Sequence, residues 1–264
     1  IYYVLFDYFV LQNPINLKRY IIIWAAFSWL SFFIFVIYII CNIKINTLSY
    51  RPPNWNWIRK GVKTASFFLI GSMSFQVIQL SDRFMIDYFY GKKLVGVYTA
   101  YAQFTNAIDV FTFSAITMVA YPKMIKTFNN KEKYNKIKEK LLKHLTSMSV
   151  ILIFIVYFVG PVIFKFLEKE SILNEIKTFY VLLLGVFLLI TSNVYHYDLY
   201  VRNKDFLILK IAVIGMLINV VLNLILIPKY DIFGASVATL ITFLVIFIFK
   251  FYFSTKTKGI DGNI

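Results

Sequence analysis

Five polar side chains recur at helical spacing inside an otherwise apolar stretch of the chain. They fall four, three, four and four residues apart: Ser72, Gln76, Gln79, Arg83 and Asp87. If one helix covers the whole stretch, all five share one face of it. A charged side chain near the centre of a membrane helix costs at least ~2.5–3.5 kcal/mol. We therefore expect this face to line a polar cavity, although Arg83 could instead pair with a neighbouring acid or reach the headgroups.

A second apolar run, residues 94–121, carries polar groups near its middle. Asn106 and Asp109 belong to this run, and a carboxylate so far from both ends has no short route to water. We predict that these two side chains line the same cavity as the first five. His196 and Asp198 lie near the end of a later run, where they could serve the cavity or simply extend to the membrane interface.

Enzyme chemistry is poorly supported by the sequence. It contains no serine nucleophile elbow, glycine-rich phosphate loop, HExxH pattern or paired-cysteine motif. Cys41 is the single cysteine, and no Cys/His cluster offers a metal site. We expect no metal and no cofactor, and a polar path through apolar helices favours transport over catalysis.

The composition explains why these polar groups stand out. The 264 residues are 59% hydrophobic, with a mean hydropathy of +0.70, whereas soluble domains are roughly 45–50% apolar. The net charge of +15 would suggest nucleic acid on a soluble protein. Here the basic residues cluster between apolar runs, as in cytoplasmic loops, so we expect contact with membrane lipids and no binding of nucleic acid.

Seven apolar runs are long enough to cross a membrane, which takes about 20 residues. The runs are 20–41, 62–82, 94–121, 146–166, 178–200, 207–227 and 232–253. The sequence therefore predicts an all-α, polytopic transmembrane helix bundle with about seven spans. The chain begins at Ile1 within an apolar stretch, and we interpret residues 1–17 as the end of an earlier helix and its connection.

The distribution of Lys and Arg predicts the orientation of the bundle. Connections 42–61 and 122–145 are rich in basic residues, and the tail adds Lys250, Lys256 and Lys258. These segments fall on one side of the membrane, which should be the cytoplasmic side and should hold the C-terminus. Within the second connection, residues 131–148 have apolar side chains at helical spacing. This pattern predicts a helix lying along the membrane surface.

Residues 219–242, NVVLNLILIPKYDIFGASVATLIT, predict a hairpin of two helices. Pro228 lacks an amide hydrogen and ends the first helix, and Asp231 can cap the next one. Gly234 and Ala238 form a small-xxx-small pair that allows close helix packing. Asn219 and Asn223 are expected to hydrogen-bond between helices rather than to bind a ligand.

Two segments resemble those of bacterial polysaccharide flippases, members of the multidrug/oligosaccharidyl-lipid/polysaccharide (MOP) exporter superfamily. In the hairpin the residues that fit are Asn219, Leu222, Asn223, Ile227, Pro228, Gly234, Ala235, Ala238 and Thr239. Asp231 stands where the family usually has a glycine. In LSDRFMIDYFYGKKLVGVYTAYAQF the matching residues are Asp82, Arg83, Gly91, Val95, Gly96 and Tyr98.

The resemblance implies a fold of about twelve spans in two lobes around a central cavity. On that scheme, 20–41 is the last helix of the N-terminal lobe and 42–61 is a cytoplasmic linker. Residues 62–253 form the six-helix C-terminal lobe, and 254–264 form a cytoplasmic tail. The chain would then be the C-terminal portion of a longer protein.

The resemblance also implies a function. A flippase of this family moves undecaprenyl-diphosphate-linked oligosaccharide across the bacterial cytoplasmic membrane for surface polysaccharide biosynthesis. Arg83, with Gln76 and Gln79, would then bind the diphosphate. Asp109 or Asp87 could bind a coupling cation, H⁺ or Na⁺, by analogy with related exporters. Alternatives are a drug or lipid-II exporter of the same superfamily, a membrane-embedded glycan polymerase or acyltransferase, and a structural membrane subunit without transport activity.

Overall fold

The computed structural model describes residues 17–42, 54–166 and 174–256 of the chain. Within those ranges it is helical and contains no strand. The elements are α1 (Leu17–Asn42), α2 (Trp55–Tyr90), α3 (Lys92–Thr112), a π-helical turn (Phe113–Thr117), α4 (Met118–Thr127), α5 (Lys131–Phe166), α6 (Ile176–Val201) and α7 (Asp205–Lys256). The predicted earlier helix end over 1–16, most of the linker, and the end of the tail lie outside the described residues.

Six helical segments of the described chain are long and apolar enough to cross a membrane. One of them, Lys92–Thr127, combines α3, the π-helical turn and α4. Another is α7, which at 52 residues contains two of the seven predicted runs. At 1.5 Å per residue, the 36-residue helices α2 and α5 are about 54 Å long. They therefore extend beyond a hydrocarbon core of about 30 Å. The six spanning segments confirm the predicted all-α polytopic membrane bundle.

The chain divides into two compact units, residues 1–55 and 56–264. In the first unit, α1 presents large apolar side chains such as Trp24, Trp29 and Phe35 that are more than half exposed. Such a surface suits a helix surrounded by lipid. The assignment of this helix to an N-terminal lobe and of the second unit to a C-terminal lobe remains a prediction.

Within the second unit, α7 folds back on itself at Tyr230 and Asp231, whose backbone angles are not helical. We call residues 205–229 its first arm and 232–256 its second arm. Asn219 Nδ2 donates a hydrogen bond to Thr242 Oγ1 (3.3 Å), and a Cβ on Gly215 would lie 2.7 Å from Ile246 Cδ1. Both contacts are centred on residues 230–231, so the arms run antiparallel as the hairpin motif predicts.

The turn of this hairpin depends on two residues. A Cβ added to Gly234 would lie 2.6 Å from the carbonyl carbon of Leu226, and a helix backbone cannot move aside as a side chain can. Asp231 has φ 47° and ψ −133°, a conformation that favours glycine. Its Oδ1 accepts a hydrogen bond from the Phe233 amide (3.1 Å) and so caps the second arm.

Buried aromatic rings pack the end of the bundle at which the hairpin turns. Tyr101 of α3, Phe164 of α5 and Phe179 of α6 are fully buried, with ring centroids 5.2–5.5 Å apart. Aromatic pairs at this separation stabilise a core beyond their buried area. They hold α3, α5 and α6 together at this end.

The start of α5 corrects the sequence-based interpretation of residues 131–148. The segment is not a separate surface helix, because α5 runs as one helix from Lys131 to Phe166. Its side chains Tyr134, Leu141 and Leu145 are each 1–2% exposed and belong to the main core. The prediction was wrong because these apolar positions pack into the bundle and not onto the membrane surface.

A buried ion cluster closes the end of the bundle opposite to the hairpin turn, where α5 begins and α6 ends. Asp198 is fully buried, and its Oδ2 lies 2.7 Å from Lys138 Nζ. Its carboxylate also accepts hydrogen bonds from Tyr134 (2.6 Å) and Ser254 (2.6 Å), and Arg202 Nε lies 3.3 Å from Oδ1. Asp198 therefore does not extend to the interface; it joins α5, α6 and the second arm of α7.

Candidate functional site

A cavity of about 410 Å³ lies between α2, α3, α6 and both arms of α7. This volume falls within the range of roughly 300–1,000 Å³ found for small-molecule sites. Aromatic rings form much of its wall: Phe67, Phe68, Phe75, Phe113 and Tyr197. We call it the large cavity.

Seven polar side chains line the large cavity together with these aromatic rings. They are Ser72, Gln76, Asp109, Asn193, His196, Asp205 and Lys250. Three of the seven, Ser72, Gln76 and Asp109, are among the candidate cavity residues of the sequence analysis. The structure thus brings part of the α2 stripe together with the carboxylate of α3.

Lys250 is the residue that the sequence analysis placed most differently. Its charge was assigned to the cytoplasmic tail, yet its side chain is 9% exposed and lines the large cavity. Lys250 Nζ donates a hydrogen bond to Ser192 Oγ (3.2 Å), and Asp109 lines the same cavity. A count of basic residues cannot distinguish a tail lysine from one that faces a carboxylate inside the bundle.

The carboxylate of Asp109 contacts α6. Asn193 Nδ2 donates to Asp109 Oδ1 at 3.5 Å, the outer limit of a hydrogen bond. The α-helix changes into the π-helical turn at Phe113, four residues after Asp109. Turns of this kind occur frequently at functional sites, and this one contributes the ring of Phe113 to the cavity wall.

Two buried polar atoms among the residues lining the large cavity lack a hydrogen-bond partner within the described part of the chain. They are His196 Nδ1 and Asp205 Oδ1. An unsatisfied buried polar atom costs about 1–3 kcal/mol, so such atoms mark positions where a ligand can supply the missing partner. His196 was a candidate in the sequence analysis, whereas no pattern pointed to Asp205, which lies in the first turn of α7.

A second, much smaller cavity of about 30 Å³ lies further along α2. It is lined by Gln79, Asp82, Arg83 and Asn106, among others, and its volume is about that of one water molecule. Arg83 Nε donates to Thr99 Oγ1 (3.2 Å), and its guanidinium also bonds the carbonyl of Gln79. The predicted stripe is therefore divided between two cavities.

The remaining stripe residue, Asp87, is exposed and lines neither cavity. Its neighbour Asp82, which the sequence analysis used only as part of a motif, is 3% exposed. The burial of Asp82 could not be read from the sequence, because both acids lie in the same apolar stretch. The two acids differ in burial because α3 and the second arm of α7 pack around α2 at Asp82.

The hairpin residues serve contacts between helices. Ser81 Oγ of α2 donates to Asn219 Oδ1 (3.1 Å), and Asn223 Nδ2 donates to the same oxygen (3.1 Å). Asn219 and Asn223 are both fully buried. The turn itself is tied to α2 by the Tyr90 hydroxyl, which donates to the carbonyl of Pro228 (3.0 Å).

Known protein families and solved structures include proteins similar to this chain. The family described as "Polysaccharide biosynthesis protein" matches residues 9–128. Among solved structures, a multidrug resistance MATE family transporter of the MOP superfamily in an outward-facing conformation superposes with a TM-score of 0.58. It is 21% identical in sequence, and the match covers 72% of this chain and 43% of that protein.

The chain has the fold of the MOP-superfamily transporters. A MATE protein in a bent conformation (TM-score 0.57) and a MOP superfamily transporter from Pyrococcus furiosus (TM-score 0.58) give the same result, each at 21% identity over 72% of the chain. The family match and this fold agree with the resemblance drawn from the sequence motifs: the first links residues 9–128 to polysaccharide biosynthesis proteins, and the second links the fold to MOP-superfamily transporters. The family match ends before the hairpin.

A curated relative, an uncharacterised membrane protein of Methanocaldococcus jannaschii, is 25% identical over 205 residues. That alignment covers 75% of this chain and 40% of the relative. The chain thus spans less than half the length of the MOP-type proteins and of the membrane protein that it matches.

Proposed function

We propose that the chain forms part of a flippase that moves undecaprenyl-diphosphate-linked oligosaccharide across the bacterial cytoplasmic membrane for surface polysaccharide biosynthesis. The large cavity carries this proposal. A membrane bundle that only supports other proteins has no need of a 410 Å³ cavity with a lysine and two carboxylates in its wall. The family match to polysaccharide biosynthesis proteins supports a glycan substrate.

The position of the large cavity suits loading from the cytoplasm. Its wall includes Asp205 at the start of α7 and His196 near the end of α6. The end of α6 and the start of α7 lie at the side of the bundle that the Lys and Arg distribution predicts to be cytoplasmic. We propose that a sugar of the headgroup enters here while the lipid tail stays in the bilayer, and that the C-terminus is cytoplasmic.

The candidate residues divide into two roles on this proposal. Ser72, Gln76 and Asp109 contact the substrate in the large cavity, with Asp109 also available to a coupling cation. Gln79, Arg83 and Asn106 line a space the size of one water molecule and position α2 against α3. The sequence analysis expected Arg83 to bind the substrate. We instead assign substrate contact to the residues around Lys250.

A drug exporter is the second candidate, because two of the structural neighbours are MATE proteins and one of these is described as a multidrug resistance transporter. Aromatic walls with a buried acid also suit an organic cation. Reconstitution of the complete protein separates the two functions. Liposomes would hold undecaprenyl-diphosphate-linked oligosaccharide in both leaflets, and a membrane-impermeant glycosidase would digest the exposed glycan.

A glycan flippase makes nearly all of the lipid-linked glycan accessible to the glycosidase, whereas liposomes without protein protect about half of it. If the protected half remains while the same liposomes transport a fluorescent organic cation, the protein is a drug exporter. Heat-denatured protein in the same liposomes controls for leakage of the glycosidase.

A further inference from the structure

The charges that line the large cavity do not suit an anionic group. Asp109 and Asp205 contribute two carboxylates, and Lys250 contributes the single ammonium in the described wall. Lys250 Nζ already donates a hydrogen bond to Ser192 Oγ. A phosphate or a carboxylate entering this space would meet two carboxylates and one ammonium, a formal charge of −1, and like charges repel more strongly beside a protein wall than in bulk water.

The hydrogen-bonding groups of the cavity call for a ligand that can donate. Asp205 Oδ1 is buried without a partner among the described residues, and an ionised carboxylate accepts only. His196 Nδ1 is buried in the same way, and a neutral imidazole has one donating and one accepting nitrogen. A hydroxyl group both donates and accepts, so it can satisfy both side chains, whereas an acidic group would leave Asp205 unsatisfied.

The rest of the wall favours a ring-shaped ligand with apolar faces. Phe75 of α2 and Phe113 of the π-helical turn supply aromatic surfaces, while Gln76 and Asn193 supply amides that donate and accept. A sugar ring has apolar C–H faces and a rim of hydroxyls. Its faces can pack on the rings while its hydroxyls bond the polar groups.

We infer that the large cavity binds one uncharged sugar residue of the transported glycan and rejects an acidic one. The inference rests on the proposed function, because it assumes that the glycan enters this lobe. It assigns Asp205 and His196 as the residues that set specificity. The diphosphate is bound outside this cavity.

The test compares two sugars that differ in one group, methyl glucoside and methyl glucuronoside. Their binding to the complete purified protein in detergent is measured by isothermal titration calorimetry. We expect methyl glucoside to bind at least about tenfold more tightly, since juxtaposed like charges cost several kcal/mol. In Asp205→Asn the ratio falls to about three or less, because the glucuronoside gains affinity when a carboxylate is replaced by an amide that can donate.

Glu139→Gln is the matched control, because it removes the same charge from an exposed position on α5, and its ratio should equal that of the native protein. Equal or tighter binding of the glucuronoside to the native protein would overturn the inference, and so would binding of neither sugar. An unchanged ratio in Asp205→Asn would remove Asp205 from the site. If liposomes containing this protein still scramble lipid-linked glycan in any of these cases, the proposed function stands and only the specificity fails.

Discussion

Lys138 Nζ lies 2.7 Å from Asp198 Oδ2, and both side chains are at least nine-tenths buried. This ion pair ties the first turns of α5 to the last turns of α6, and Ser254 adds the end of the second arm of α7. Buried charges are tolerated when each has a partner of good geometry. The end of the bundle that we propose to be cytoplasmic is therefore held by a polar contact and not only by apolar packing.

Removing the acid from this cluster should destabilise the protein strongly. Asp198→Ala leaves Lys138 and Arg202 buried without their carboxylate, and breaking a buried pair from one side costs about 3–5 kcal/mol. Thermal unfolding of the purified protein in detergent should show a much lower midpoint. The control is Lys136→Ala, which breaks an exposed pair with Glu132 and should cost at most about 0.5 kcal/mol. Equal midpoints for the two variants would contradict the role given to Asp198.

The hairpin turn predicts opposite effects at two neighbouring positions. Gly234→Ala should lower the yield of folded protein, because even one methyl group would overlap the Leu226 backbone. Asp231→Gly should be neutral or stabilising by up to about 1 kcal/mol, since glycine suits the positive φ, partly offset by the lost cap to Phe233. Detergent-extracted yield and unfolding temperature measure both effects.

Gly61→Ala is the control for the hairpin, because a Cβ there meets nothing within 4 Å and should be harmless in an exposed helix. If Gly234→Ala matched this control, the two arms could not be as close as the structure has them.

The orientation of the bundle is tested by labelling single cysteines. Cys41, the one cysteine of this chain, is replaced by serine together with any cysteine in the rest of the complete protein, which gives a background without cysteine. Lys133→Cys is exposed at the start of α5 and should react with an impermeant maleimide only after the inner membrane is permeabilised. Tyr230→Cys, at the hairpin turn, should react in intact cells. The reverse pattern would place the C-terminus outside the cytoplasm.

The sequence predicted the hairpin well because its signals are local. Gly234 permits the close approach and acts on residues within a turn or two. The position of the break was predicted less well: Pro228 was expected to end the first helix, but the helix continues past it and breaks at Tyr230 and Asp231, because a proline removes only the hydrogen bond of its own amide. The helical stripe of α2 was also predictable, because periodicity alone defines a face. Gly91 ends that helix, with φ 79°.

The cavity could not be predicted in the same way, because its polar groups come from distant parts of the chain. Lys250 meets Ser192 across 58 positions, and Asn193 meets Asp109 across 84. No periodicity connects such residues, and a lysine between aromatic residues near the end of an apolar run looks like an interfacial anchor. Which lysine faces lipid, water or a carboxylate is decided by helix packing.

The most direct test of the central claim is to fill the large cavity. Ala212 lies in its wall, so Ala212→Trp should block the substrate path, while Ala107→Trp adds the same bulk at an exposed position of α3. Surface glycan per folded transporter is measured in cells that depend on the complete protein for export. We predict near-complete loss of export for Ala212→Trp at normal protein abundance, and native export for Ala107→Trp. Native export by a folded Ala212→Trp variant would contradict the proposed route.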